Sequence, residues 1–285
     1  MSNLKQRLIL GLFIMIIILF SISFSQDPLF RPIFVLLTAT IICFAQWEYY
    51  HIAHGKGFTP LTKLGVLASI AFVFSDYIGI TYPSLELLPE IVLWMTLIAT
   101  FIYYFSKGSD PFNNIAITLF GIIYLTVPLS LVLNITYFFP SSHLQDGRWW
   151  LFYLVLITKI TDTGAYFIGK RFGQTKMVPY ISPKKTWEGS AGGLVTALSS
   201  SILFFFIVNY FFDKPPIGIT YFQSIWVACA ISMLAQFGDL AESLLKRDVG
   251  VKDSSHLPGL GGILDMVDSI IFTCPFIYFF LKINY

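Results

Sequence analysis

At 285 residues, with 56% hydrophobic and only 12% charged side chains, the chain carries about half the roughly 25% charge of an ordinary soluble domain, which excludes a water-facing globular surface. Its 29 Phe and its apolar runs of near-spanning length argue for a bundle of membrane helices, since the alternating strands of a barrel would dilute such runs with polar residues. The formal net charge of +2 is too small to imply nucleic acid or another polyanion as a partner.

With about 20 apolar residues needed per span, the expected fold class is an all-α polytopic integral membrane protein of about nine transmembrane helices. They are predicted near residues 8–25, 30–47, 62–82, 88–106, 114–139, 149–168, 190–212, 219–237 and 269–284. Lys5 and Arg7 before the first run resemble a signal peptide, but no small-residue cleavage site follows Phe24, so a retained helix is expected. Asp76 weakens the third span, and the fifth is long enough to tilt or to break at Pro128. Lys5, Arg7, Lys56, Lys63, Lys107 and the five basic residues between 169 and 189 fall on one side of a nine-span layout. The positive-inside rule makes that side cytoplasmic, with the C-terminus outside. Residues 1–148 are expected to be a scaffold of helices, and 149–285 a catalytic region with cytoplasmic loops at 169–189 and 238–268.

Those two loops hold 52 positions and 15 of the 34 charged side chains, so chemistry is sought there. Cys43, Cys229 and Cys274 lie far apart in apolar runs and read as inert small hydrophobes. His51, His54, His143 and His256 show no zinc spacing, and Trp47, Trp149 and Trp150 fit an interfacial belt.

Asp162, in Thr161-Asp162-Thr163-Gly164-Ala165-Tyr166, sits near the end of a span with Lys159 three positions earlier. An ionised group at bilayer depth costs about 2.5–3.5 kcal/mol unless paired or wetted, so Asp162 should face the bundle interior, in a site or in a structural salt link with Lys159. Ser182-Pro183-Lys184-Lys185-Thr186-Trp187-Glu188-Gly189 reads as a helix start, with Pro at the first helical position and two lysines beside free N–H groups suited to phosphate oxygens. The plainer reading of this basic loop is the positive-inside signal alone. The small residues from Gly189 to Gly193 would let helix backbones approach closely. No Walker-type phosphate loop is present.

If residues 237–248 are helical, Asp239, Glu242, Ser243, Lys246 and Arg247 share one face. Asp265 and Asp268, three apart, would also sit together. Carboxylates with bases beside them suit a Mg2+-nucleotide, because hard oxygens hold the metal while Lys and Arg neutralise the remaining phosphate charge. The alternative is a solvated, salt-bridged amphipathic helix.

Ser243, Lys246, Arg247, Lys252, Asp253, Pro258, Gly261, Gly262, Asp265 and Asp268 resemble the signature of the phosphatidate cytidylyltransferases, or CDP-diacylglycerol synthases. The stretches around Asp162 and from Ser182 to Gly189 are similar too, so the resemblance covers the C-terminal half, with only hydropathy in common upstream of residue 150. Three departures are visible: Leu260 where the family has histidine, Met266 where it has arginine, and one residue fewer between Asp253 and Pro258. His256 lies close enough in sequence to replace the missing imidazole.

The resemblance implies transfer of a cytidylyl group from CTP to phosphatidate in the bilayer, with Mg2+ as cofactor, a second cation left open, and a homodimer. Asp239, Asp265 and Asp268 become the expected metal ligands, with Asp253 a further candidate. Lys184, Lys185, Lys246, Arg247 and Lys252 would hold phosphates, and Asp162, Ser182, Glu188 and Ser243 would line the substrate site. Two other readings stay open: a CTP-dependent polyprenol or lipid kinase, and a membrane transporter with Asp162 and Asp265 on an ion path. Transport would favour two related halves with broken helices, and no such symmetry is visible.

Overall fold

The computed structural model describes residues 16–106, 108–140, 144–251, 254 and 262–285. Helix α1 occupies residues 16–24, followed by α2 (Arg31–Gly55), α3 (Thr62–Thr81), a 3-10 turn (Pro83–Leu85), α4 (Leu88–Ser106) and α5 (Pro111–Gly121). A π-helical turn (Ile122–Thr126) leads into α6 (Val127–Thr136) and then α7 (Gly147–Phe172). After the strands β1 (Lys176–Val178) and β2 (Ser182–Thr186) come α8 (Trp187–Phe211), α9 (Tyr221–Asp248) and α10 (Ile263–Asn284).

Among the described residues eight helical segments are long and apolar enough to cross a membrane, and the chain is a polytopic membrane protein. They coincide with the second to ninth predicted spans; the first, 8–25, is described only from residue 16 on, where α1 covers 16–24. Exposed Trp94, Phe105 and Phe112 are what a lipid-facing surface requires, because lipid imposes no penalty on apolar area.

Two compact units share the chain. One comprises Met1–Asn134 with Asp248–Val267, the other Ile135–Arg247 with Asp268–Tyr285. In the first, the polar groups that interrupt apolar helices find one another. Asp76 accepts from Asn134 Nδ2 at 2.7 Å, and Ser69 Oγ and Thr126 Oγ1 lie 2.7 Å apart. The long fifth span does not break at Pro128. Proline lacks an N–H and crowds the carbonyl four residues back, and the helix absorbs this in the π turn immediately before it.

In the second unit α7 and α8 form a close pair. A Cβ at Gly193 would lie 2.9 Å from the Thr161 carbonyl oxygen and 3.1 Å from Ala165 Cβ, and one at Gly189 would lie 2.9 Å from the Ala165 oxygen. The approach expected of the small-residue run is therefore realised, backbone against backbone. Gly193→Ala must push the helices apart and should cost about 1–3 kcal/mol, read as a lower melting temperature of the detergent-solubilised protein.

Two sequence expectations are corrected here. Ser182 and Pro183 do not start a helix: they begin β2, which pairs antiparallel with β1, Lys176 opposite Thr186 and Val178 opposite Ser182. The helix begins five residues later, where the Thr186 side chain accepts the Gly189 N–H at 3.1 Å. Residues 238–248, placed by span length in the eighth loop, continue α9 without interruption, which meets the condition for Asp239, Glu242, Ser243, Lys246 and Arg247 to share one face.

Candidate active site

The second unit contains a cavity of about 580 Å3 walled by α7, the β1–β2 hairpin, α8 and α9. Its size is in the usual range for small-molecule sites, about 300–1,000 Å3. Lys170, Lys176, Lys184 and Lys185 line it together with the carboxylates of Asp162 and Asp239. Four cations converging on one space with two anions is an arrangement for a polyanionic ligand.

Each wall has a local cause. Lys170 lies in the last turn of α7, where cations oppose the negative end of the helix dipole. Lys176, Lys184 and Lys185 are carried by the hairpin, which is tied down from two sides. The Glu188 carboxylate, in the first turn of α8, accepts the backbone N–H groups of Gln174 and Thr175 at 3.1 Å each. Arg247 Nε donates to the Ile181 carbonyl at 3.0 Å. Glu188→Gln should loosen the hairpin, giving several-fold faster tryptic cleavage at Lys176 with the helices still folded.

Asp239 links the hairpin to α9. Its Oδ2 lies 2.7 Å from Lys185 Nζ and its Oδ1 accepts from Ser243 Oγ at 3.4 Å. Asp162 pairs with Lys159 at 3.6 Å and accepts from Ser269 Oγ at 3.4 Å. Asp239 stands within electrostatic reach of both Asp162 and Asp268. The helix contact that brings them near is a glycine: a Cβ at Gly238 would press on the Asp268 carbonyl and lie 3.2 Å from Ser269 Cα. These acids have counter-charges at hand: Lys159 pairs with Asp162 and Lys185 with Asp239.

Mg2+ commonly takes one or two carboxylates and fills its shell with water and substrate phosphates, so the carboxylate oxygens of Asp162 and Asp239 beside a lysine-lined cavity fit that ion. Among the described residues no preformed group of three or more His, Cys, Asp or Glu has the geometry of a metal site.

Of the residues singled out from the sequence, Asp162, Lys184, Lys185 and Asp239 meet at the cavity. Ser243 touches Asp239, while Glu188 and Arg247 hold the hairpin that presents the lysines. Ser182 occupies the first position of β2. Glu242 and Lys246 form a buried i, i+4 ion pair on α9, so that face is packed, in contrast to a solvated amphipathic helix. Asp268 is buried near the start of α10, and Asp265 accepts the Gly262 N–H at 2.9 Å in the first unit. Lys252, Asp253, His256 and Leu260 lie outside the described residues. The sequence placed Lys170 and Lys176 in the basic loop without a role, and did not point to Gln236, whose Nε2 donates to the Ser190 carbonyl at 3.4 Å. The available signal was the cluster of basic residues on both sides of Pro179-Tyr180.

A family model described as "Cytidylyltransferase family" matches residues 5–284, and the chain belongs to that family. It is similar to the phosphatidate cytidylyltransferase of Bacillus subtilis, 31% identical over 286 residues covering 99% of each chain. The phosphatidate cytidylyltransferase of Haemophilus influenzae is 32% identical over 293 residues, 97% of this chain and 98% of the relative. That of Chlamydia pneumoniae is 30% identical over 295 residues, 99% of this chain and 93% of the relative. The similarity thus extends through the N-terminal half, where the sequence alone offered only hydropathy.

Proposed function

We propose that the protein is a phosphatidate cytidylyltransferase, converting CTP and phosphatidate to CDP-diacylglycerol and pyrophosphate. The observation that carries this reading is the cavity in which four lysines face Asp162 and Asp239. The attacking group is a phosphate monoester whose second pKa is about 6, already substantially ionised at neutral pH, so no strong general base is needed. Its oxygen forms a bond to the α-phosphorus of CTP as the bond to the β-phosphate oxygen breaks, and the electron pair leaves with pyrophosphate. The obstacle is the approach of two anions. Catalysis then rests on positioning and charge neutralisation.

Lys170, Lys176, Lys184 and Lys185 bind the phosphates, Lys185 oriented by Asp239. Asp239 and Asp268 would hold Mg2+, and the sequence pattern would give Asp265, one turn before Asp268 on α10, the same chemistry. Bound Mg2+ supplies charge neutralisation at the nucleotide phosphates. The basic-loop pattern supports nine spans with the N-terminus and the cavity cytoplasmic, where CTP is available, and the C-terminus on the opposite side. The homodimer that the resemblance implies is part of the same proposal.

A kinase reaction on a lipid alcohol would use the same nucleotide, and the position of the label separates the two. With CTP labelled at the γ-phosphate, the lipid fraction should stay unlabelled with phosphatidate or polyprenol as acceptor. Labelled polyprenyl phosphate together with CDP would refute the proposal.

A further inference from the structure

The start of α10 is capped by a residue from the other end of the chain. Glu48, in α2, is 2% exposed, and its carboxylate accepts the Ile263 N–H at 3.0 Å, the Leu264 N–H at 2.8 Å and the Ser254 hydroxyl at 2.8 Å. All of these residues lie in the first compact unit. The first N–H groups of a helix have no partner within it, and a Ser, Thr, Asp or Asn side chain just before the helix ordinarily satisfies them. Here the residue before the helix is Gly262, which has no side chain to offer. Nor could it carry one, because a Cβ at Gly262 would collide with Ser254 Oγ and lie 2.6 Å from Glu48 Oε2. The other half of the cap comes from the helix itself: Asp265, at the third helical position, reaches back to the Gly262 N–H at 2.9 Å and the Ser254 N–H at 3.3 Å. That is the reach of the acid in a capping box, with the reciprocal side chain supplied from α2.

A buried carboxylate is costly unless fully hydrogen-bonded, and Glu48 meets that condition by fixing three donors at once. Those donors are the Ser254 hydroxyl and the first two amides of α10, and Asp265 grips Ser254 and Gly262 beside them, so Glu48 sets where α10 begins and how Asp265 is aimed. We propose that Glu48 is a positioning residue for the Asp265 carboxylate, acting as a cap supplied from a distant part of the chain in place of the side chain that Gly262 lacks. This rests on the proposed cytidylyl transfer only for its catalytic consequence; the cap itself stands on geometry.

The experiment uses the full-length protein in detergent, wild type beside Glu48→Gln and, as a control on the same helix and outside the network, Thr40→Ala, whose hydroxyl only bonds back to the Leu36 carbonyl. Glu48→Gln keeps the shape and one acceptor oxygen but turns an NH2 towards the remaining donors. Loss of a charge-assisted hydrogen bond predicts about ten-fold or faster hydrogen exchange at the amides of Ile263 and Leu264, with exchange elsewhere unchanged. It also predicts a Mg2+ requirement raised about ten-fold with the KM for CTP held within about two-fold. A merely structural role would lower the melting temperature without moving the Mg2+ requirement away from the KM for CTP. Exchange at residues 263 and 264 equal to wild type would overturn the cap. Faster exchange there with an unchanged Mg2+ requirement would overturn the positioning role. If wild type makes no CDP-diacylglycerol, the proposed activity fails, and the exchange measurement still decides the cap.

Discussion

Asp239→Asn should lower kcat/KM for cytidylyl transfer by about 10^2–10^3, or about 3–4 kcal/mol, while the protein remains inserted and folded. The amide is isosteric, so the α9–α10 contact at Gly238 is untouched. What it removes is the charge that sits 2.7 Å from Lys185 and within reach of Asp162 and Asp268. Two effects should separate from a simple loss of fold. The requirement for Mg2+ should rise, because one carboxylate of the proposed set is gone. The melting temperature without ligand should stay close to wild type, because removing one of several neighbouring negative charges relieves repulsion as it forfeits the ion pair. Turnover equal to wild type would remove Asp239 from the site.

The second large effect belongs to Lys185. Its side chain is 24% exposed and paired with Asp239, so it is held before the nucleotide arrives. Lys185→Ala should raise the KM for CTP about 10–100-fold, the magnitude of one or two charge-assisted hydrogen bonds to phosphate, with a smaller change in kcat. Lys184→Ala is the comparison. Lys184 lines the same cavity but is exposed, and among the described residues it makes no ion pair, so more of its side-chain freedom is lost on binding. Its KM effect should be several-fold smaller. Equal effects would mean that pre-orientation by Asp239 contributes nothing.

The spans were legible because lipid sets their length and admits few charges; the polar interruptions that blurred α3 are satisfied by Asn134, a partner that hydropathy cannot reveal. The charge-rich segments were legible as the place of chemistry, since ionised groups beside apolar helices need a reason. The hairpin was not. Ser-Pro-Lys-Lys-Thr has little β-propensity, and a Pro after Ser imitates a helix start. Only the pairing with Lys176–Val178, and the edge position that tolerates Pro183, make it a strand. Missing the hairpin meant missing Lys176, which enters the cavity from the opposite strand.

Asp265 was readable as an important acid, but its hold on Gly262 was not. Glu48 escaped notice altogether, because its partners lie more than 200 positions away in sequence. The available signal was a lone acid among Trp47, Tyr49 and Tyr50 in an apolar helix, where an unpaired charge would be expensive.

The central claim is that the cavity of lysines and aspartates joins the α-phosphate of CTP to a lipid phosphate. The most direct measurement uses purified protein in detergent with CTP labelled at the α-phosphate, phosphatidate and Mg2+, scoring label in the lipid against pyrophosphate released, with Asp239→Asn beside it. The account predicts labelled CDP-diacylglycerol and one equivalent of pyrophosphate from the wild type, and almost none from the variant. Bound CTP without label in the lipid, or CDP in place of pyrophosphate, would contradict it.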